Sequence, residues 1–110
     1  MESLFVYGSL KDPETQKKIF GRAAQGIPDI LPGYTRSSIE IQGNMYPIAI
    51  PKEGASIAGM VIEIGLDELN LVDAFETTTY QRINVTLKSG KTAWAYVISD
   101  DTLAAFARFF

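Results

Sequence analysis

The chain has 110 residues, 46% of them apolar and 21% charged, with a formal net charge of −3. This is ordinary globular composition at the length of one domain, so a single unit spanning 1–110 is expected. The mildly acidic balance disfavours nucleic acid and anionic membranes as partners, and zero Cys and zero His exclude disulfides, thiol nucleophiles, Ser-His-Asp triads and thiolate or imidazole metal centres.

Met1-Glu2-Ser3 carries no basic region, and the apolar runs fall far short of the roughly 20 residues that cross a bilayer. A cytoplasmic protein is expected. Leu4-Phe5-Val6-Tyr7 reads as a buried first strand that ends in a tight loop at Gly8-Ser9. Asp12 before Pro13 is a helix start and Gly21 a stop, so a short helix is predicted over 13–20.

Pro28 and Pro32 predict a connecting loop from Gly21 to Gly33 that carries Ile27, Ile30 and Leu31 inward. Strands are then expected over 34–41, 46–50 and 57–64, with turns at Gly43-Asn44 and Pro51-Lys52-Glu53-Gly54. Gly59 inside the last of these marks a bulge or a close backbone approach. From Asp67 to Glu76, Leu69, Val72 and Phe75 recur at helical spacing and place Glu76 at the C-terminal end of an amphipathic helix.

Tyr80 to Leu87 alternates strictly, Lys88-Ser89-Gly90-Lys91 is a turn, and 92–98 pairs back as a hairpin. Asp100-Asp101 is read as the cap of a last helix containing Leu103, Ala104, Ala105 and Phe106. The hairpin order and the lack of long crossovers exclude a doubly wound parallel sheet. They predict an α+β fold, a small, mixed but mostly antiparallel barrel-like sheet with two or three short helices.

Two features carry chemistry. Successive amides in the loop Tyr7-Gly8-Ser9-Leu10 can converge on an anion such as a carboxylate, although the tetrapeptide equally describes a plain strand-to-helix turn. Glu76 sits at the negative end of its helix, where a carboxylate is disfavoured unless it has another use; partial burial would suit it to acid–base work. It equally describes a solvated surface Glu. Asp73 is the rival carboxylate, three residues earlier on the same helix, and like charges would push one pKa upward. Tyr80 and Arg82 share one strand face, where they either orient a substrate carboxylate or edge the sheet. Tyr46 before Pro47 reads as wall, and Trp94 and Tyr96 as packing whose Tyr hydroxyl needs a partner if buried.

Taken in order, Phe5-Val6-Tyr7-Gly8-Ser9-Leu10, Tyr46-Pro47, Gly59-Met60-Val61-Ile62-Glu63-Ile64, Asp73-Ala74-Phe75-Glu76 and Tyr80-Gln81-Arg82 resemble the gamma-glutamylcyclotransferase-like family over residues 4–98. The likeness is nearest to the short branch that includes gamma-glutamylamine cyclotransferases. It implies a small mixed barrel with a cavity, in which amides at Tyr7, Gly8, Ser9 and Leu10 bind a glutamyl α-carboxylate and Glu76 acts as acid and base. Tyr80 and Arg82 join them as candidate substrate contacts. The implied reaction closes a gamma-glutamyl amine or peptide into pyroglutamate with no cofactor and no metal. The expected partner is that small molecule, with the chain a monomer or weak homodimer. Thr77 departs from the resemblance, since many relatives carry Gly there. A non-catalytic binding module that keeps the cavity is the alternative, and an interaction domain using its sheet edge a weaker one.

Overall fold

The computed structural model describes residues 1–107. Its regular elements are β1 (Glu2–Val6), α1 (Pro13–Phe20), β2 (Ile27–Ile41), β3 (Asn44–Ile64), α2 (Leu66–Glu76), β4 (Tyr80–Thr86), β5 (Thr92–Ile98) and α3 (Asp100–Ala107), with 3-10 turns at Ser9–Lys11 and Thr77–Thr79. The strands form one five-stranded sheet in the order β2-β3-β1-β5-β4. Only the β1–β5 pair is parallel; the other neighbours are antiparallel.

The alternation of β1 divides the core in two. Leu4 and Val6 face the helices and pack with Ile62, Ile64, Phe20, Leu69 and Val72, whereas Phe5 and Tyr7 face the concave side with Leu31, Ala49, Ala95 and Val97. Each large side chain buried this way contributes roughly 1.5–3 kcal/mol relative to exposure. A third cluster, Ile39, Ile48 and Ile98, brings the far arm of the β2–β3 hairpin against β5.

Those contacts curl the sheet into a half-barrel. At one end the Tyr80 hydroxyl donates to the Pro47 carbonyl at 2.6 Å. At the other, the turn after β4 reaches β2: Lys88 N–H donates to the Ile30 carbonyl at 2.9 Å, and the Ser89 hydroxyl to Asp29 at 2.5 Å. The mixed, mostly antiparallel α+β architecture is therefore as expected, with the edges joined by side chains and a turn in place of a β2–β4 ladder.

The largest departure from expectation lies in β2 and β3. The segment read as a loop, 21–33, contains the first half of a strand that starts at Ile27, and the turn expected at 51–54 lies within one long strand, β3. Both prolines of β2 sit on an edge strand, where a missing N–H breaks no second ladder. Likewise β3 pairs with β1 only from Met60 to Ile64, so its arm from Asn44 to Pro51 has β2 alone as neighbour and tolerates Pro47 and Pro51. The punctuation survives as an irregularity: between the pairs Pro32–Ser56 and Tyr34–Pro51, Gly33 alone faces the stretch 52–55, with Gly33 and Gly54 both at positive φ.

Two smaller corrections follow from local geometry. The hairpin turn is centred on Gln42-Gly43, not Gly43-Asn44, with φ of 51° and 82°, the paired positive values that match the twist of a tight hairpin. Helix α3 is capped by Ser99, whose hydroxyl accepts from Thr102 N–H at 3.2 Å, so that Asp100 and Asp101 occupy the first turn. In contrast α1 runs from Pro13 to Phe20 as predicted, with Asp12 accepting from Glu14 N–H and Gly21 closing it at φ 83°.

The helices are tied at the end of α2 away from Glu76. Arg22, just past α1, forks Glu68 of α2 with nitrogen–oxygen distances of 2.7 and 2.8 Å, and Glu68 accepts from Gly65 N–H at 2.8 Å. Gly59 answers the close-approach reading, because a Cβ there would run into the Val6 carbonyl and the Phe5 ring. That contact fixes the end of β1, from which the site loop departs. Among the described residues no helix is long and apolar enough to cross a membrane.

Candidate functional site

A cavity of about 320 Å³ opens where the end of β1, the far arm of β3, the C-terminus of α2 and the starts and ends of β4 and β5 converge. Its wall includes Tyr7, Gly8, Ser9 and Leu10 on one side and Phe75, Glu76, Thr77 and Thr79 on the other, with Tyr46, Pro47, Tyr80 and Tyr96 between them. The fold thus brings together all the predicted site residues except Arg82. Most of the wall is aromatic or aliphatic, and among the described residues Glu76 is its one charged member.

The loop is a 3-10 turn closed by Lys11 N–H to the Gly8 carbonyl and Asp12 N–H to the Ser9 carbonyl, both at 3.0 Å. The amides of Gly8, Ser9 and Leu10 precede its first bond and have no partner within the turn. Gly8 is required by proximity and not by dihedral angle. Its φ is −120°, but a Cβ would lie 2.8 Å from Pro47 Cγ.

Beneath the loop lies Gln16, 1% exposed, which the sequence reading passed over. Its side-chain amide donates to the Leu10 carbonyl at 2.7 Å and accepts from Ala24 N–H at 2.7 Å. A signal was available: Gln16 occupies the same face of α1 as Ile19 and Phe20, where an amide has to be paired if buried. Tyr7 anchors the loop's other end by donating to the Tyr96 carbonyl at 2.5 Å. Burial, then the neighbouring Tyr80 and Glu76, raise the Tyr7 pKa above the ordinary phenol value, so it stays a neutral donor.

Glu76 is the last residue of α2 and half-buried. Burial pushes its carboxyl up to about 7, because desolvation penalises the charged form. The expected repulsion from Asp73 is not the cause. Asp73 is already engaged: its carboxylate accepts from the Tyr96 hydroxyl and pairs with Arg82 Nε at 3.0 Å.

Tyr80 lines the cavity, and burial, followed by the nearby Glu76 charge, pushes its phenol up to about 12. Arg82 stands outside the wall, paired with Asp73 and stacked 4.4 Å from the Trp94 ring centroid. Thr77 follows Glu76 at φ 61°, ψ −164°, a region that β-branched residues rarely occupy. Its N–H still bonds to the Asp73 carbonyl and ends the helix. Among the described residues no cluster of acidic side chains is arranged to hold a metal ion.

This arrangement invites comparison with proteins of known family. The sequence pattern described as "Gamma-glutamyl cyclotransferase, AIG2-like" matches residues 4–107. AIG2-like protein D of Arabidopsis thaliana is 40% identical over 86 residues, which cover 77% of this chain and 55% of that protein. The chain spans about half the length of the curated relatives it matches. A solution structure of another Arabidopsis thaliana protein superposes with a TM-score of 0.75 at 29% identity, over 88% of this chain and 61% of the other. A structure titled "Gamma-glutamyl cyclotransferase" shares the fold, with a TM-score of 0.72 at 19% identity over 89% of this chain and 66% of that one. The chain belongs to the AIG2-like gamma-glutamyl cyclotransferase family.

Proposed function

We propose that this protein releases pyroglutamate from a gamma-glutamyl amine or peptide, with Glu76 shuttling the protons. The observation that carries the reading is a half-buried carboxylate, its pKa near 7, lining the same small cavity as a loop whose amides have no partner within their own turn. A group that titrates near neutrality is well matched to both taking and returning a proton.

In the proposed cycle the amides of Gly8, Ser9 and Leu10 hold the substrate α-carboxylate. Ionised Glu76 takes a proton from the α-ammonium, and the freed amine attacks the γ-carbonyl carbon to form a five-membered ring. As the C–N bond to the leaving group breaks, Glu76 returns its proton to the departing nitrogen, and the second proton lost by the ring nitrogen leaves the lactam and a protonated amine. Nucleophile and electrophile belong to one molecule, so alignment supplies much of the acceleration. Apolar walls keep competing water away from the γ-carbonyl. Tyr80 shapes the middle of the cavity, while Arg82 contributes from outside it.

One observation favours a second reading, a binding module without turnover: Thr77 is held at positive φ directly beside Glu76. Incubation with a panel of gamma-glutamyl amines and dipeptides, with pyroglutamate quantified, separates the two. Turnover that disappears in Glu76→Gln while the fold is retained supports the cyclotransferase; stable binding without product supports the module.

A further inference from the structure

Arg82 lies beside the α2 end of the cavity, opposite Tyr96 in the β4–β5 register, and its guanidinium is turned onto Asp73 and the Trp94 ring. Asp73 also accepts the Tyr96 hydroxyl proton, and Tyr96 itself lines the cavity. Cross-strand register explains the convergence, since Arg82 of β4 sits directly opposite Tyr96 of β5, and Asp73 reaches both from the turn of α2 that precedes Glu76. Asp73 additionally receives the Thr77 N–H on its carbonyl, so this one residue fixes the backbone and the charge on both sides of Glu76.

We infer that Asp73 is a positioning residue for Glu76: by holding Arg82 and the Tyr96 hydroxyl, it clamps the last turn of α2 and keeps the Arg82 guanidinium from neutralising the Glu76 carboxylate. The inference rests on the cyclotransferase reading for its functional meaning, while its electrostatic content stands on the geometry.

The groups facing Glu76 are consistent with this insulation. Tyr7 from β1, Tyr46 from β3, Tyr80 from β4 and Tyr96 from β5 share its cavity, all phenols. Arg36 of β2 acts on the Tyr7 hydroxyl, and Arg82 on Tyr96, but neither lowers Glu76. Burial, then the Asp73 hydrogen bond, raise the Tyr96 pKa, so its proton stays on the phenol and toward Asp73. Arg82 and Glu76 both act on the Tyr96 hydroxyl, so a guanidinium released from Asp73 would act on Glu76 as well.

The test follows the Glu76 side-chain carboxyl by NMR across pH 3–9, in parallel with the pH profile of pyroglutamate release. Asp73→Asn retains an acceptor for Tyr96 but frees Arg82; the Glu76 titration midpoint and the acid limb of the rate should both fall, by on the order of one pH unit. Arg82→Gln leaves Asp73 unneutralised, and the midpoint should rise. The double variant should return toward the wild-type value, which mere loosening of the fold would not produce. If Asp73→Asn does not fold, the upward shift in Arg82→Gln decides the matter. Midpoints unmoved in every folded single variant would overturn the inference. Midpoints that shift as stated in a protein that releases no pyroglutamate would overturn the catalytic reading and leave the electrostatic arrangement standing.

Discussion

The loop from Tyr7 to Leu10 is held by three close contacts: Gly8 against Pro47, Leu10 over Gln16, Tyr7 on Tyr96. The opposite wall, where α2 ends, is built differently, because burial destabilises the Glu76 carboxylate and Thr77 lies at positive φ. A site for a fixed anion is best served by rigid, unstrained amides, while a proton shuttle needs a carboxylate that is destabilised when charged. On the proposed reading, local packing serves the first and the desolvated carboxylate at the helix end the second, with stability given up where chemistry would be done.

Removing the chemistry should give the largest effect. Glu76→Gln is expected to lower pyroglutamate formation by about 10²–10⁴-fold, the usual contribution of a general acid–base, when kcat/KM is measured at pH 8. The same variant should be more stable than the wild type at neutral pH. Because the folded-state pKa of Glu76, about 7, lies above the ordinary glutamate value of 4.5, the ionised carboxylate opposes folding. That penalty is absent below about pH 4.5, grows between the two values and is complete above pH 7. The Tm difference between Glu76→Gln and wild type should therefore vanish near pH 4 and reach its plateau above pH 7.

The rigid wall is tested next. Gln16→Leu leaves the Leu10 carbonyl and Ala24 N–H without their partner and should destabilise by about 2–4 kcal/mol in urea unfolding. Gly8→Ala forces a Cβ onto Pro47 and should cost about 1–3 kcal/mol, with KM rising more than kcat falls because the amides shift. The smallest effect belongs to the strained side. Thr77→Gly should stabilise by about 1 kcal/mol, as relief of a positive φ outweighs the greater chain entropy of glycine, and an unchanged denaturation midpoint would contradict the strain argument.

The same contrast governs what the sequence revealed. Features set by local rules were legible: the Asp12-Pro13 start and Gly21 stop of α1, the β4–β5 hairpin, and the helix that ends on Glu76. The half-barrel was legible in outline, but β2 and β3 were not. Pro28, Pro32 and Pro51 read as breaks until it is known that each stands where the strand has a neighbour on one side only. Within the site, the loop and Glu76 each read as ordinary by local sequence and stood out only together with the intervening motifs. Gln16 was legible from its place on the buried face of α1, whereas Pro47 beside Gly8 and the pairing of Asp73 with Tyr96 join segments distant in sequence. Arg82 shows the limit of strand periodicity: it shares a face with Tyr80, yet α2 draws it away to Asp73.

The most direct test of the central claim is the pH dependence of kcat/KM for pyroglutamate release from a gamma-glutamyl amine. If Glu76 in its buried setting is the base, the rate should rise with pH along a limb centred near 7 that is lost in Glu76→Gln. A limb centred near the ordinary glutamate value, or an unaltered profile in the variant, would contradict the account.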